Sequence, residues 1–194
     1  MNKFLRLIRI CACTALILCS FVGTTQAADY VGNFEKIPAV QDRPPQVGIW
    51  RLTPTVVVCE LAPISETQTK SAVRFWKRLG YNFYRTQYKS SGGAALNTVC
   101  RDKTPTGYIV IHLVTNGVKM ESKSLAQTHF YVNNETNEIE WAIIYMRPEI
   151  RAQVLEHEIG HALGFLHYNQ INHLMHEKWT LGGWDKEGLE NKQR

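Results

Sequence analysis

The chain has 194 residues, room for one globular core but not comfortably for two. Its 22 Lys and Arg against 17 Asp and Glu give a formal net charge of +5. Lys3, Arg6 and Arg9 stand in the first nine residues, and without them the balance falls to 19 against 17. A balance that close to neutral indicates neither a nucleic-acid partner nor an anionic membrane surface.

From the N-terminus, the three cations precede an uncharged run, Ile10–Gly23, and then the small residues Thr24, Thr25, Ala27 and Ala28. This is the layout of a secretory signal over residues 1–28, and the run is short for a membrane span. Cleavage after Ala27 or Ala28 would start the mature protein near Asp29 and export it, secreted or periplasmic; the alternative is an uncleaved anchor. Of five cysteines, Cys11, Cys13 and Cys19 fall in this segment. Cys59 and Cys100 remain, and in an oxidising compartment they suggest one disulfide, against two buried free thiols.

Residues 29–54, with Pro38, Pro44, Pro45 and Pro54, read as an irregular arm. Thr55–Leu61 is β-branched and apolar, a buried strand. Pro63 ends it, and Ser65 with Gln68 forms a capping box for a helix to about Leu79, closed by Gly80. Asn82–Tyr88 reads as a second strand, Ser90–Ala95 as a Gly- and Ser-rich loop, and Tyr108–Thr115 as a third strand, with a polar loop to about Lys123. Ala126–Val132 and Ile139–Met146 flank the turn formers Asn133–Glu138 as a hairpin. Arg147-Pro148-Glu149 carries Pro at a first helical position and so predicts a helix start. Trp179, Trp184 and Leu189 suggest a short final helix.

The most informative segment is His157-Glu158-Ile159-Gly160-His161-Ala162-Leu163-Gly164-Phe165-Leu166-His167. On a helix, His157 and His161 lie one turn apart on one face, so both imidazoles can reach one metal ion. Glu158 sits about 100° round from His157, within reach of a water at that ion. If the helix continued, His167 would lie about 15 Å along the axis from His157. Gly164 stands where the chain has to turn, since glycine most readily adopts the left-handed conformation that ends a helix. Three neutral nitrogens and one open position are the ligand set of a catalytic zinc.

HExxHxxGxxH followed by a methionine is the metzincin signature, and the segment from His157 to Met175 resembles it, with the spacing to Met175 closest to the matrixins. The resemblance implies an α+β, metzincin-like zincin fold over residues 55–194: a twisted sheet of about five strands, one antiparallel at the cleft edge, packed with three helices. It also implies that Met175 underlies the imidazoles as an apolar floor and that Ala126–Val132 is the edge to which an extended substrate aligns. Tyr168 and Glu177 depart from the better-known subfamilies, and residues 29–54 hold no cysteine-switch pattern.

His112, His129, His173 and His176 lack the Asp-containing spacing of a second, structural zinc site. The four Asp residues are scattered, so calcium loops are not expected. The expectation is an exported zinc metallopeptidase with one catalytic Zn²⁺, Glu158 as general base, a protein or peptide substrate and no stable membrane association once the signal is removed. The alternatives are a peptidase restricted to cell-wall peptides and a non-catalytic, zinc-stabilised binding module.

Overall fold

The computed structural model describes residues 42–88, 98–100, 104–115, 118, 120 and 124–191. The signal segment, the first part of the arm and the Ser90–Ala95 loop lie outside the described residues, as does most of the polar loop before Lys123.

The elements are β1 (Ile49–Trp50), β2 (Thr55–Val58), α1 (Glu66–Arg78), β3 (Thr86–Tyr88), β4 (Tyr108–Leu113), β5 (Ala126–Asn133), β6 (Glu138–Met146) and α2 (Val154–Ala162). Residues 98–100 are also helical. The strands form one sheet in the order β1-β6-β4-β2-β3, with β5 paired to β6. Four of its five strand pairings are parallel, and β5 runs antiparallel to β6.

This corrects the expected metzincin-like α+β fold of about five strands. The sheet has six strands and is predominantly parallel, an α/β-like architecture. Alternation and β-branching mark a segment as a strand, but pairing direction depends on where each connection returns the chain. Here the connection through α1 returns β3 parallel to β2, and the β5–β6 hairpin returns β6 parallel to β4. The sixth strand is β1, inside the arm expected to be irregular, and it pairs with Glu138 and Ile139 at the start of β6.

One face of the sheet presents Val56, Val58, Ile109, Ile111, Ala142 and Ile144 to α1 and α2 and forms the main core. The opposite face buries Val57 and Val110 with Val99, next to the disulfide between Cys59 and Cys100. Helix α1 begins at the Ser65–Gln68 capping box: Ser65 Oγ accepts from the Gln68 N–H, and Gln68 Oε1 accepts from the Ser65 N–H. In the β5–β6 hairpin turn, Asn133 Oδ1 accepts from the Glu135 N–H, and Asn137 takes a left-handed φ of 56°.

Three local expectations differ from the structure. Only Thr86–Tyr88 of Asn82–Tyr88 is strand. Helix α2 starts at Val154 rather than near Pro148: the Arg147 N–H and guanidinium bond the Leu125 and Ser124 carbonyls, Pro148 and Glu149 form a bend, and Gln153 takes a left-handed φ of 70° that a continuing helix cannot contain. After α2 the described residues form turns and isolated bridges instead of a final helix; Leu189 is fully buried there, while Trp179 and Trp184 are exposed.

Candidate metal centre

Helix α2 carries the first two imidazoles and lies on the core through Val154, Leu155, Ile159 and Ala162. Its end is set by Gly164, whose φ is 92°. The Gly164 N–H donates to the His161 carbonyl and the Phe165 N–H to the Gly160 carbonyl, the paired bonds of a Schellman termination. A side chain at Gly164 would also meet the Gly48 carbonyl at 2.7 Å, so the turn requires glycine on two counts. The chain reverses and His167 returns to the other two histidines. Ring centroids stand 4.6 Å apart for His157 and His161, 4.7 Å for His161 and His167, and 5.4 Å for His157 and His167.

The three residues could hold a metal ion, their candidate ligand atoms all lying within 4.8 Å of one another. The donor chemistry fits a cation. His157 Nδ1 donates to the Leu174 carbonyl and His161 Nδ1 to the Phe165 carbonyl, each across 2.7 Å. Both protons are thus on Nδ1, and the bare Nε2 lone pairs face each other at 2.9 Å. Two such lone pairs repel unless they share a positive ion, and carbonyl-anchored imidazole is the usual outer support of a metal ligand. Burial, with the neighbouring His167, pushes His157 down to about 4. Burial, with His176 nearby, does the same to His167. His161 is held well below its ordinary value by burial and by the other two rings. All three are therefore neutral near pH 7, as metal ligands must be.

Glu158 is buried, and burial raises its carboxyl to about 7, opposed by a hydrogen bond from Thr128. Thr128 Oγ1 lies 2.5 Å from Glu158 Oε2. Met175 is fully buried: a Cβ on Gly160 would meet its sulfur at 2.5 Å, so the methionine packs directly against the helix that carries His157 and His161. The same turn supplies the Leu174 carbonyl to His157, and the Met175 carbonyl accepts from the Tyr168 N–H. Its shape depends on His173, whose Nδ1 accepts from the Met175 N–H while Nε2 donates to the Glu187 carbonyl. His112 lies in β4 and His129 in β5, both against Tyr145 on the sheet face away from the helices.

Sequence reasoning missed two contributors. Thr128 is a hydroxyl on the strand face that otherwise presents Ala126 and Phe130 to the core, and that break in alternation was its only signal. The second is the arm: Gln46 Nε2 donates to the Leu163 carbonyl, the Val47 N–H to the Gly164 carbonyl, and Pro45 O accepts from the Leu166 N–H. No local pattern announces those contacts.

No family model matches the chain, and no curated protein matches it. The centre therefore stands on its own geometry: a three-histidine group able to take a metal ion, with a buried carboxyl on the same helix.

Proposed function

We propose that the protein is an exported zinc-dependent endopeptidase with a metzincin-type site, in which His157, His161 and His167 hold the ion and Glu158 is the general base. The observation that carries this reading is the convergence of three neutral imidazoles after the Gly164 reversal, with the buried Glu158 carboxyl next to His157 on the same helix. A structural metal site has no use for such a base, whereas proton transfer near neutral pH does. Zinc, when bound, supplies a coordinated water of pKa ~7 and polarises the scissile carbonyl. Glu158 takes the proton of the attacking water and gives it to the leaving amine, and no covalent intermediate is required.

Strand β5 is bonded to β6 along one side, its Thr128 side chain meets Glu158 of α2, and its other edge is the substrate edge of this reading. An extended peptide added there would bind through backbone groups with little side-chain discrimination. The Cys59–Cys100 disulfide supports an oxidising destination.

The test is cleavage of a mixed peptide library and of intact proteins by the zinc-loaded chain, with and without chelator, beside Glu158→Ala. Chelator-sensitive cleavage that Glu158→Ala abolishes is the expected result. Cleavage confined to wall-type peptides would narrow the substrate class, and zinc binding without any cleavage would make the protein a binding module.

A further inference from the structure

We propose that Thr128 is the positioning residue of the general base: its hydroxyl holds Glu158 Oε2, leaving Oε1 as the atom that takes and returns the proton. This rests on the peptidase reading above and adds to it which oxygen works and what fixes it.

Thr128 Oγ1 stands 2.5 Å from Glu158 Oε2 and 3.1 Å from the backbone carbonyl of the same residue. Among the described residues it is the only hydrogen-bond partner of that carboxyl. The hydroxyl thus lies within reach of both the carboxyl and the backbone carbonyl of Glu158, and its single proton goes to the nearer acceptor, Oε2. The support is itself rigid. Thr128 is β-branched, only 6 % exposed, and sits on β5 opposite Ile144 of β6. A valine would suit its apolar neighbours Ala126 and Phe130 equally well, so the hydroxyl is accounted for by its acceptor rather than by packing.

The proton inventory closes without another group. An O–H bond of the attacking water breaks and its proton forms a bond to Oε1, while Oε2 continues to accept from Thr128. The Oε1–H bond then breaks, the proton passes to the leaving nitrogen as its C–N bond breaks, and the carboxylate is restored. Because β5 also offers the proposed substrate edge, one strand would set both the peptide register and the position of the base.

The experiment compares zinc-loaded wild type with Thr128→Val, Thr128→Ser and Thr128→Ala. It measures kcat, KM, the pH profile of kcat/KM, zinc affinity by chelator competition, and the Glu158 carboxyl infrared band with Glu158→Gln as blank. Thr128→Val is expected to lower kcat roughly tenfold to a hundredfold, with KM and zinc affinity nearly unchanged. It should also move the acid limb of the profile to higher pH and shift the carboxyl band, while Thr128→Ser recovers most of kcat. Wild-type kcat with an unmoved band in Thr128→Val would overturn the inference, as would parallel losses of kcat and zinc affinity that serine does not restore. If Thr128→Val does not fold, the serine and alanine variants decide: equal kcat values sink the proposal, and a loss confined to alanine supports it. A wild type that binds zinc and cuts nothing refutes the peptidase reading itself and ends the catalytic role with it, whatever the band shows about the contact.

Discussion

The indole N–H of Trp50 donates to the carbonyl of Ala162 across 2.8 Å, joining the first strand of the sheet to the last residue of the helix that carries His157 and His161. A helix leaves its final carbonyls without internal partners. Here the arm supplies them: Trp50 for Ala162, Gln46 for Leu163 and Val47 for Gly164. The arm is thereby part of the support of His167. Trp50→Phe, which keeps the ring and removes the donor, should cost about 1 kcal/mol of stability. Urea unfolding checks this, and an unchanged midpoint would mean the bond adds nothing net.

Gly164→Ala places a side chain at a φ of 92° and 2.7 Å from the Gly48 carbonyl. The left-handed backbone alone costs about 1–2 kcal/mol, and the contact adds to it. The expected outcome is a destabilised protein with weakened zinc affinity, since relieving the clash displaces the route to His167. Calorimetric titration with zinc reads the second effect, and wild-type affinity would contradict it.

In the metal-free protein, two acid–base effects oppose each other. His157 lies at about 4 when folded, against 6.5 when free, so its contribution to stability is present above pH 6.5 and is lost as pH falls towards 4. Glu158 lies at about 7 when folded, against 4.5 when free, so its contribution is present below pH 4.5 and is lost as pH rises through 7. Glu158→Gln stays neutral throughout and removes only the second effect. Metal-free Glu158→Gln should therefore exceed wild type in stability at pH 8 by up to ~3 kcal/mol and match it near pH 4.5. Urea titrations at the two pH values test this, and a uniform offset would count against it.

If the three imidazoles hold an ion as proposed, its removal should lower stability, because the facing lone pairs would lose the charge that relieves their repulsion. Free zinc at a thousandfold its dissociation constant would add about 4 kcal/mol. His161→Ala should abolish that gain, and thermal melts with and without zinc distinguish the two proteins. A zinc-dependent melting shift surviving in His161→Ala would place the ion elsewhere.

The bond between Cys59 and Cys100 spans 41 residues, for which the chain-entropy model gives about 4 kcal/mol. Replacing both by serine should lower the urea midpoint accordingly, while zinc affinity holds, because the disulfide lies on the sheet face opposite α1 and α2. Concurrent loss of zinc affinity would show that the two faces are coupled.

Several parts of this protein were legible in the sequence because they depend on neighbours along the chain. The α1 capping box needs only Ser65 and Gln68, the hairpin turn only Asn133–Glu138, and the histidine spacing with Gly164 needs only helix geometry and the freedom of a glycine. Strand direction, the start of α2 and the role of the arm were decided by tertiary structure. Parallel pairing places β6 beside β4, Arg147 is held by Ser124 and Leu125, and Trp50 reaches a carbonyl 112 residues away. Local conformational preference is written in short spacings, whereas orphan carbonyls and buried carboxyls take whichever partners the folded chain brings within about 3 Å. That is why the three histidines could be named from the sequence, while Thr128, the hydroxyl that meets the Glu158 carboxyl, emerged only once β5 lay against α2.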